Sequence, residues 1–286
     1  MKIGVMLDSF RQGFTESVKK AGELGIKGVQ LWCTGGELDP DTVTPEKIRE
    51  TLDILSSHGL ELSALCCGGS ELKNSETNPA DVKAIERALD LSVRLGCRIV
   101  TAHIGVVPEE ECAEKEIMRQ AMNEISGFGD AVGAKFAVET GPEPGKILGG
   151  FLDSLDGHGI GINFDPANLV MCSDDRPENA LRYLGKYVVH THAKDGVMLS
   201  KKIAEARAAG RKTPEYDALV EKGRTYLEVP LGEGDVDFDV YLPALAASGF
   251  DGFLAIEREV GADPAKDIAL AVRFLEEKLD AHGISR

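Results

Sequence analysis

Short apolar runs rich in Val, Ile and Leu recur along the chain. Between them lie stretches whose apolar residues return every three or four positions. The runs fall near residues 3–7, 28–33, 61–67, 98–104, 135–139, 159–165, 187–193 and 252–257. The runs read as strands and the intervening stretches as amphipathic helices, one face of which is marked by Ala84, Ala88, Leu91 and Leu95. Until the last interval the runs start about 25–37 residues apart, the length of a strand plus a crossover helix. Thr44-Pro45, Asn78-Pro79 and Asp263-Pro264 each place a capping residue before a proline suited to the first helical turn. No Pro/Ser-rich linker and no low-complexity segment divides the chain. Eight such units predict a single-domain (β/α)8 TIM barrel spanning residues 1–286. The turn after the first strand, Asp8-Ser9-Phe10-Arg11-Gln12-Gly13, lacks the Gly-rich loop that a doubly wound sheet would place there.

The last interval is about 65 residues long. It contains a basic helical stretch at 200–209 and a further segment at 213–222. An insertion over 196–235, after the seventh strand, would rise from the C-terminal face of the barrel. Its length suits a lid or an oligomerisation arm.

Composition narrows the partners. Lys plus Arg number 32 against 48 Asp plus Glu, a net charge of −16, which disfavours a phosphate-gripping or anionic-membrane protein. No apolar run approaches the roughly 18 residues of a membrane span. The start, Met1 to Asp8, lacks a signal-peptide core. The cysteines are irregularly spaced with no C-x-x-C, as expected of reduced thiols in a cytoplasmic protein.

The strand ends carry the candidate chemistry. Alternate residues of a barrel strand face inward, and active sites use the C-terminal ends. In the fifth strand Phe136 and Val138 face the helices, so Ala137 and Glu139 point inward. In the sixth, Gly161, Asn163 and Asp165 share the inward face; in the seventh, His190 and His192; in the eighth, Glu257 ends the inward set. Four successive strands thus finish in Glu139, Asp165, His192 and Glu257. Three converging carboxylates repel one another, and a divalent cation removes that cost. Three oxygens and one imidazole suit Mn²⁺ best, with Mg²⁺, Co²⁺ and Zn²⁺ as alternatives. His190, one layer lower, reads as a hydrogen-bonding core residue.

Five segments carry a family resemblance: Val138-Glu139-Thr140, Asn163-Phe164-Asp165-Pro166-Ala167-Asn168, His190-Thr191-His192-Ala193-Lys194-Asp195, Gly232-Glu233-Gly234-Asp235-Val236-Asp237 and Ile256-Glu257. In this order they resemble the xylose-isomerase-like TIM barrels, and most nearly the sugar phosphate isomerase/epimerase group. The resemblance implies one divalent metal on the four matching positions, with Glu139 and Glu257 as acid/base groups flanking a substrate carbon. It also implies substrate contact for His103, at the end of the fourth strand. Asn168 and Lys194 are further candidate substrate contacts on the same resemblance, although tagatose-type epimerases often carry His where this chain has Asn168, and Arg close to where it has Lys194. Trp32, the sole tryptophan, closes the second strand and offers a ring that could stack on a sugar. Relatives' habits imply a dimer or tetramer and a small sugar or cyclitol substrate, with no nucleic acid or membrane partner. The expected reaction is proton transfer next to a carbonyl through an enediolate, giving epimerisation or isomerisation. A dehydratase or lyase on a keto-cyclitol or keto-sugar would use the same site. An AP-endonuclease-like hydrolase is the distant alternative: such enzymes need more ligands, and the third strand ends Cys66-Cys67-Gly68 where a His is expected. A binding protein without chemistry is disfavoured by the two glutamates.

Overall fold

The computed structural model describes residues 1–286. Eight parallel strands close into a barrel: β1 (Lys2–Met6), β2 (Gly28–Trp32), β3 (Glu61–Cys66), β4 (Ile99–Ala102), β5 (Lys135–Glu139), β6 (Ile160–Phe164), β7 (Val188–Ala193) and, after a two-stranded excursion, β10 (Phe253–Ile256). β1 pairs with both β2 and β10, so the sheet has no edge. All eight expected strands are present, with ends that coincide or differ by at most two residues. Helices follow the strands around the outside, among them Pro45–Ser57, Asn78–Leu95, Ala113–Val132 and Pro264–Ala281.

The outward residues Phe136, Val138, Ile162, Phe164, Leu254 and Ile256 are buried against these helices. Burying each such side chain contributes roughly 1.5–3 kcal/mol, which fixes the strand faces and therefore sends the alternate polar residues inward. Thr44 and Asp263 cap their helices, accepting from the backbone N–H of Lys47 and Lys266. Asn78 departs from expectation: Thr77 holds the cap position, and buried Asn78 donates instead to the carbonyl of Leu72. The β6–β7 register shifts between Ile162 and Asn163, so Asn163 lies opposite His190. Such bulges re-aim side chains beside functional sites.

The insertion is a built element. β8 (Asp195–Met198) and β9 (Tyr226–Val229) pair antiparallel, with helices Leu199–Ala208 and Pro214–Glu221 between them. Asp195 fastens its base. One carboxylate oxygen accepts from the N–H of Gly232 and Gly234, both at 3.0 Å, and the other from Gly196 at 2.8 Å and Val236 at 3.1 Å. A Cβ on Gly234 would overlap that carboxylate and the nitrogen of Gly196.

Asp195→Ala strands four N–H donors in a largely buried site. It should cost at least about 3 kcal/mol in chemical denaturation, and Gly234→Ala should reproduce most of the loss. Proteolysis within 196–235 should rise in both variants.

Candidate metal centre

Glu139 ends β5, Asp165 follows β6, His192 lies in β7 and Glu257 follows β10. One ligand atom from each falls within 4.8 Å of all the others. His192 Nδ1 is 3.2 Å from Glu257 Oε2, 3.5 Å from Glu139 Oε1 and 3.6 Å from Asp165 Oδ2. Three of the four residues are buried, and Glu257 nearly so.

Neighbouring polar groups orient these side chains. Gln30, on the inward face of β2, places Oε1 2.9 Å from His192 Nε2 and donates from Nε2 to Thr101 Oγ1 at 2.8 Å. The carbonyl of Gln30 accepts the Nε2 proton and turns Nδ1 toward the carboxylates. Asn163 donates from Nδ2 to Glu139 Oε2 at 3.2 Å, and its Oδ1 accepts from His190 Nδ1 at 2.9 Å. His190 Nε2 lies 3.1 Å from Ser63 Oγ. Burial, with His192 nearby, pushes the His190 pKa down to about 3, so this core histidine is neutral. Asp165 Oδ1 accepts from the N–H of Ala167 and Asn168, while the Thr140 hydroxyl accepts from the Asp165 N–H at 2.7 Å.

Seven buried side-chain polar atoms have no hydrogen-bond partner, among them His192 Nδ1 and Asp165 Oδ2. Both belong to the ligand cluster. Orphaned buried atoms are rare, and a cation among these donors would satisfy both. The electrostatics agree. Burial opposes a charged His192, but Glu257 and Glu139 outweigh it and hold its pKa well above the ordinary value. Burial likewise opposes the charge of Lys194, yet Glu257, Asp165 and Glu259 raise its pKa. Burial would raise Glu139 and Glu257; His192 reverses the sign at both, joined by Lys194 at Glu257, and holds both below the usual carboxylate range. The pocket therefore demands positive charge. Three carboxylate oxygens and one imidazole nitrogen fit a divalent cation.

A cavity of about 320 Å³ opens above the cluster, lined by Glu139 and Glu257. His103, Asn168, Lys194 and Trp32 all line it as well. His103 is exposed, with Nε2 3.6 Å from Glu139 Oε1. Asn168 donates to Glu139 Oε1 at 3.1 Å, so it also orients a ligand. Lys194 is buried, its Nζ 2.8 Å from Glu257 Oε2 and 2.6 Å from Glu259 Oε2. Two more contributors, Gln30 and Tyr226, were not singled out from sequence. Gln30 is the lone polar residue on the inward alternation of β2, which was a readable signal. Tyr226 comes from β9 in the insertion and lines the same cavity, and no local pattern announces that. Arg258, whose charge makes it a candidate anion contact in the sequence, is buried between Glu228 at 2.6 Å and Asp267 at 2.9 Å and is already neutralised there.

The family model described as "Xylose isomerase-like TIM barrel" matches residues 18–278, and the chain belongs to that family. An inosose dehydratase of Clostridium perfringens is 27% identical over 184 residues, covering 60% of this chain and 57% of that protein. The chain thus matches little more than half of that relative's length. The crystal structure of a xylose isomerase domain protein from Planctomyces limnophilus superposes with a TM-score of 0.74 at 25% identity, covering 92% of this chain and 91% of the other. The structure of an L-ribulose 3-epimerase superposes with a TM-score of 0.73 at 15% identity, covering 98% and 95%; it shows the shared fold. The chain therefore carries a xylose isomerase-like fold with epimerase and dehydratase neighbours.

Gln30→Leu removes the acceptor that orients His192 and should weaken Mn²⁺ binding about 10–100-fold in calorimetric titration. A second expectation concerns Glu143, a buried residue in the loop after β5. Burial pushes its pKa up to about 7, against backbone N–H groups of Glu143 and Val107. The folded protein then keeps a proton that the unfolded chain has released, so stability falls as pH rises from 4.5 to 7. Glu143→Gln should gain about 3 kcal/mol on the wild type between pH 4 and pH 8. Parallel denaturation curves at the two pH values check this.

Proposed function

We propose that this protein is a divalent-metal-dependent sugar isomerase or epimerase that moves a proton at the carbon next to a carbonyl. The observation that carries the reading is the convergence of Glu139, Asp165, His192 and Glu257 beneath one cavity. The four would hold a single cation, with Mn²⁺ the metal best matched to the donor set. When bound, such a cation supplies Lewis-acid polarisation of the substrate carbonyl and offsets the charge of an enediolate.

The chain's own residues do the rest. One glutamate takes the α-proton, and the electrons of that C–H bond move into the carbonyl to give the enediolate. The other glutamate, which must enter the step carrying a proton drawn from solvent, delivers it to the opposite face of the same carbon, which inverts it, and the first glutamate releases the abstracted proton to solvent. Return to the neighbouring carbon instead interconverts aldose and ketose. Asn163 and Asn168 hold Glu139 through both its oxygens, fixing its direction of attack. Lys194 holds Glu257 and, with His103 and Trp32, is assigned to substrate contact. Tyr226 closes one side of the cavity, so the insertion acts as a partial cover that limits water.

A dehydratase acting through the same enediolate is the second reading, favoured by the 27% identity to inosose dehydratase. It differs only in expelling a β-hydroxyl.

Incubation of the Mn²⁺-loaded protein with a panel of ketoses and keto-cyclitols in D2O should place one deuterium on the carbon beside the carbonyl, seen by NMR. Glu139→Gln and Glu257→Gln should each slow this by about 10²–10⁴-fold. Full exchange in either variant rules out the two-base scheme. Growth of an enone absorbance with loss of water selects the dehydratase.

A further inference from the structure

A second cavity, of about 190 Å³, lies on the other side of Trp32. It sits at the same end of the barrel, outside β2, and its wall includes residues of the loops after β1 and β2. Trp32 lines both cavities. Its indole N–H donates to the Thr34 carbonyl at 2.7 Å, which fixes the ring as a partition. Trp32 shares the inward alternation of Gln30, so one side of the ring is turned toward the mouth. Trp32 is 42% exposed, although Trp is a residue whose burial is strongly favourable.

The lining of the second cavity is amphipathic. Leu7, Phe14 and Leu38 supply an apolar wall, and Asp8, Gln12 and Glu37 supply polar groups. Its one cation, Lys47, is already paired with Glu37 at 2.7 Å and Glu50 at 3.1 Å. The net charge of the lining is therefore negative, which repels a phosphate or carboxylate. What fits is a neutral, hydroxyl-rich ring, with one apolar face against the aromatic wall and hydroxyls donating to Asp8, Gln12 and Glu37.

We propose that the substrate is a glycosylated keto-sugar: the carbonyl-bearing ring occupies the cavity over the metal ligands, and a second, unphosphorylated ring occupies the cavity beyond Trp32. This rests on the reading of the metal centre as a carbonyl-sugar site and adds the extent and charge of the substrate.

Trp32 is the only tryptophan, so its fluorescence, excited selectively, reports the occupancy of either cavity without requiring turnover. The Mn²⁺-loaded protein is titrated with fructose, with isomaltulose (a glucosyl-fructose) and with fructose 6-phosphate. Isomaltulose should bind at least tenfold more tightly than fructose, and fructose 6-phosphate no more tightly than fructose. Gln12→Phe, a change at an exposed position, fills the second cavity and should erase the isomaltulose advantage. Equal affinity for fructose and isomaltulose, no saturable response to isomaltulose, or an advantage that survives Gln12→Phe overturns the proposal. Preference for the phosphorylated sugar overturns it as well. Deuterium exchange is scored separately with the same sugars. If exchange fails while the tenfold difference and its loss in Gln12→Phe hold, the second cavity stands and only the reaction is wrong.

Discussion

Three carboxylates held within a few ångströms of each other in a buried pocket are the constraint on which the rest of the site depends. Like charges at that spacing raise each other's pKa, and burial adds to the penalty. Opposite charge must be built in. His192 and Lys194 are the two cationic groups inside the cluster, and both have their pKa raised by the carboxylates around them. The donor set fits a divalent cation, as the proposed function requires. The closed barrel makes the crowding tolerable, because hydrogen-bonded strands on every side keep the carboxylates from moving apart.

From that constraint follows the layer beneath. Ser63, His190 and Asn163 form a polar chain that ends on Glu139, and Thr101 and Gln30 form another that ends on His192. Each link uses a donor against an acceptor, so the ligands are held in one orientation before anything binds. Such preorganisation matters more for chemistry than for stability. The neutrality of His190 belongs to the same logic, since a second imidazolium there would disturb the charge balance. The insertion extends the arrangement outward. Asp195 pins its base, the Glu228–Arg258 pair ties β9 to the segment after β10, and Tyr226 reaches the cavity.

Much of this was legible in the sequence. Strand positions followed from apolar runs, and the period-2 alternation placed Glu139, Asp165, His192 and Glu257 on one face at successive strand ends. The closed barrel brings those four together. What was not legible depends on contacts between distant segments. Asn168 looked like a substrate group because it follows Asp165 in the family motif, yet its amide also orients Glu139 across the β5–β6 boundary. Nothing local to Arg258 announces that Glu228 of the insertion pairs with it. Asn78 looked like a helix cap, but the carbonyl of Leu72 in the preceding loop claimed its side chain. Local pattern sets which face a residue occupies; only the closed fold sets which partner it meets there.

The most direct test of the central claim is a crystal of the protein soaked in Mn²⁺ and measured at the manganese absorption edge. One strong anomalous peak should lie about 2.0–2.3 Å from His192 Nδ1 and from a carboxylate oxygen of each of Glu139, Asp165 and Glu257. Manganese bound elsewhere, or a peak that leaves His192 Nδ1 or Asp165 Oδ2 outside bonding distance, would contradict the account.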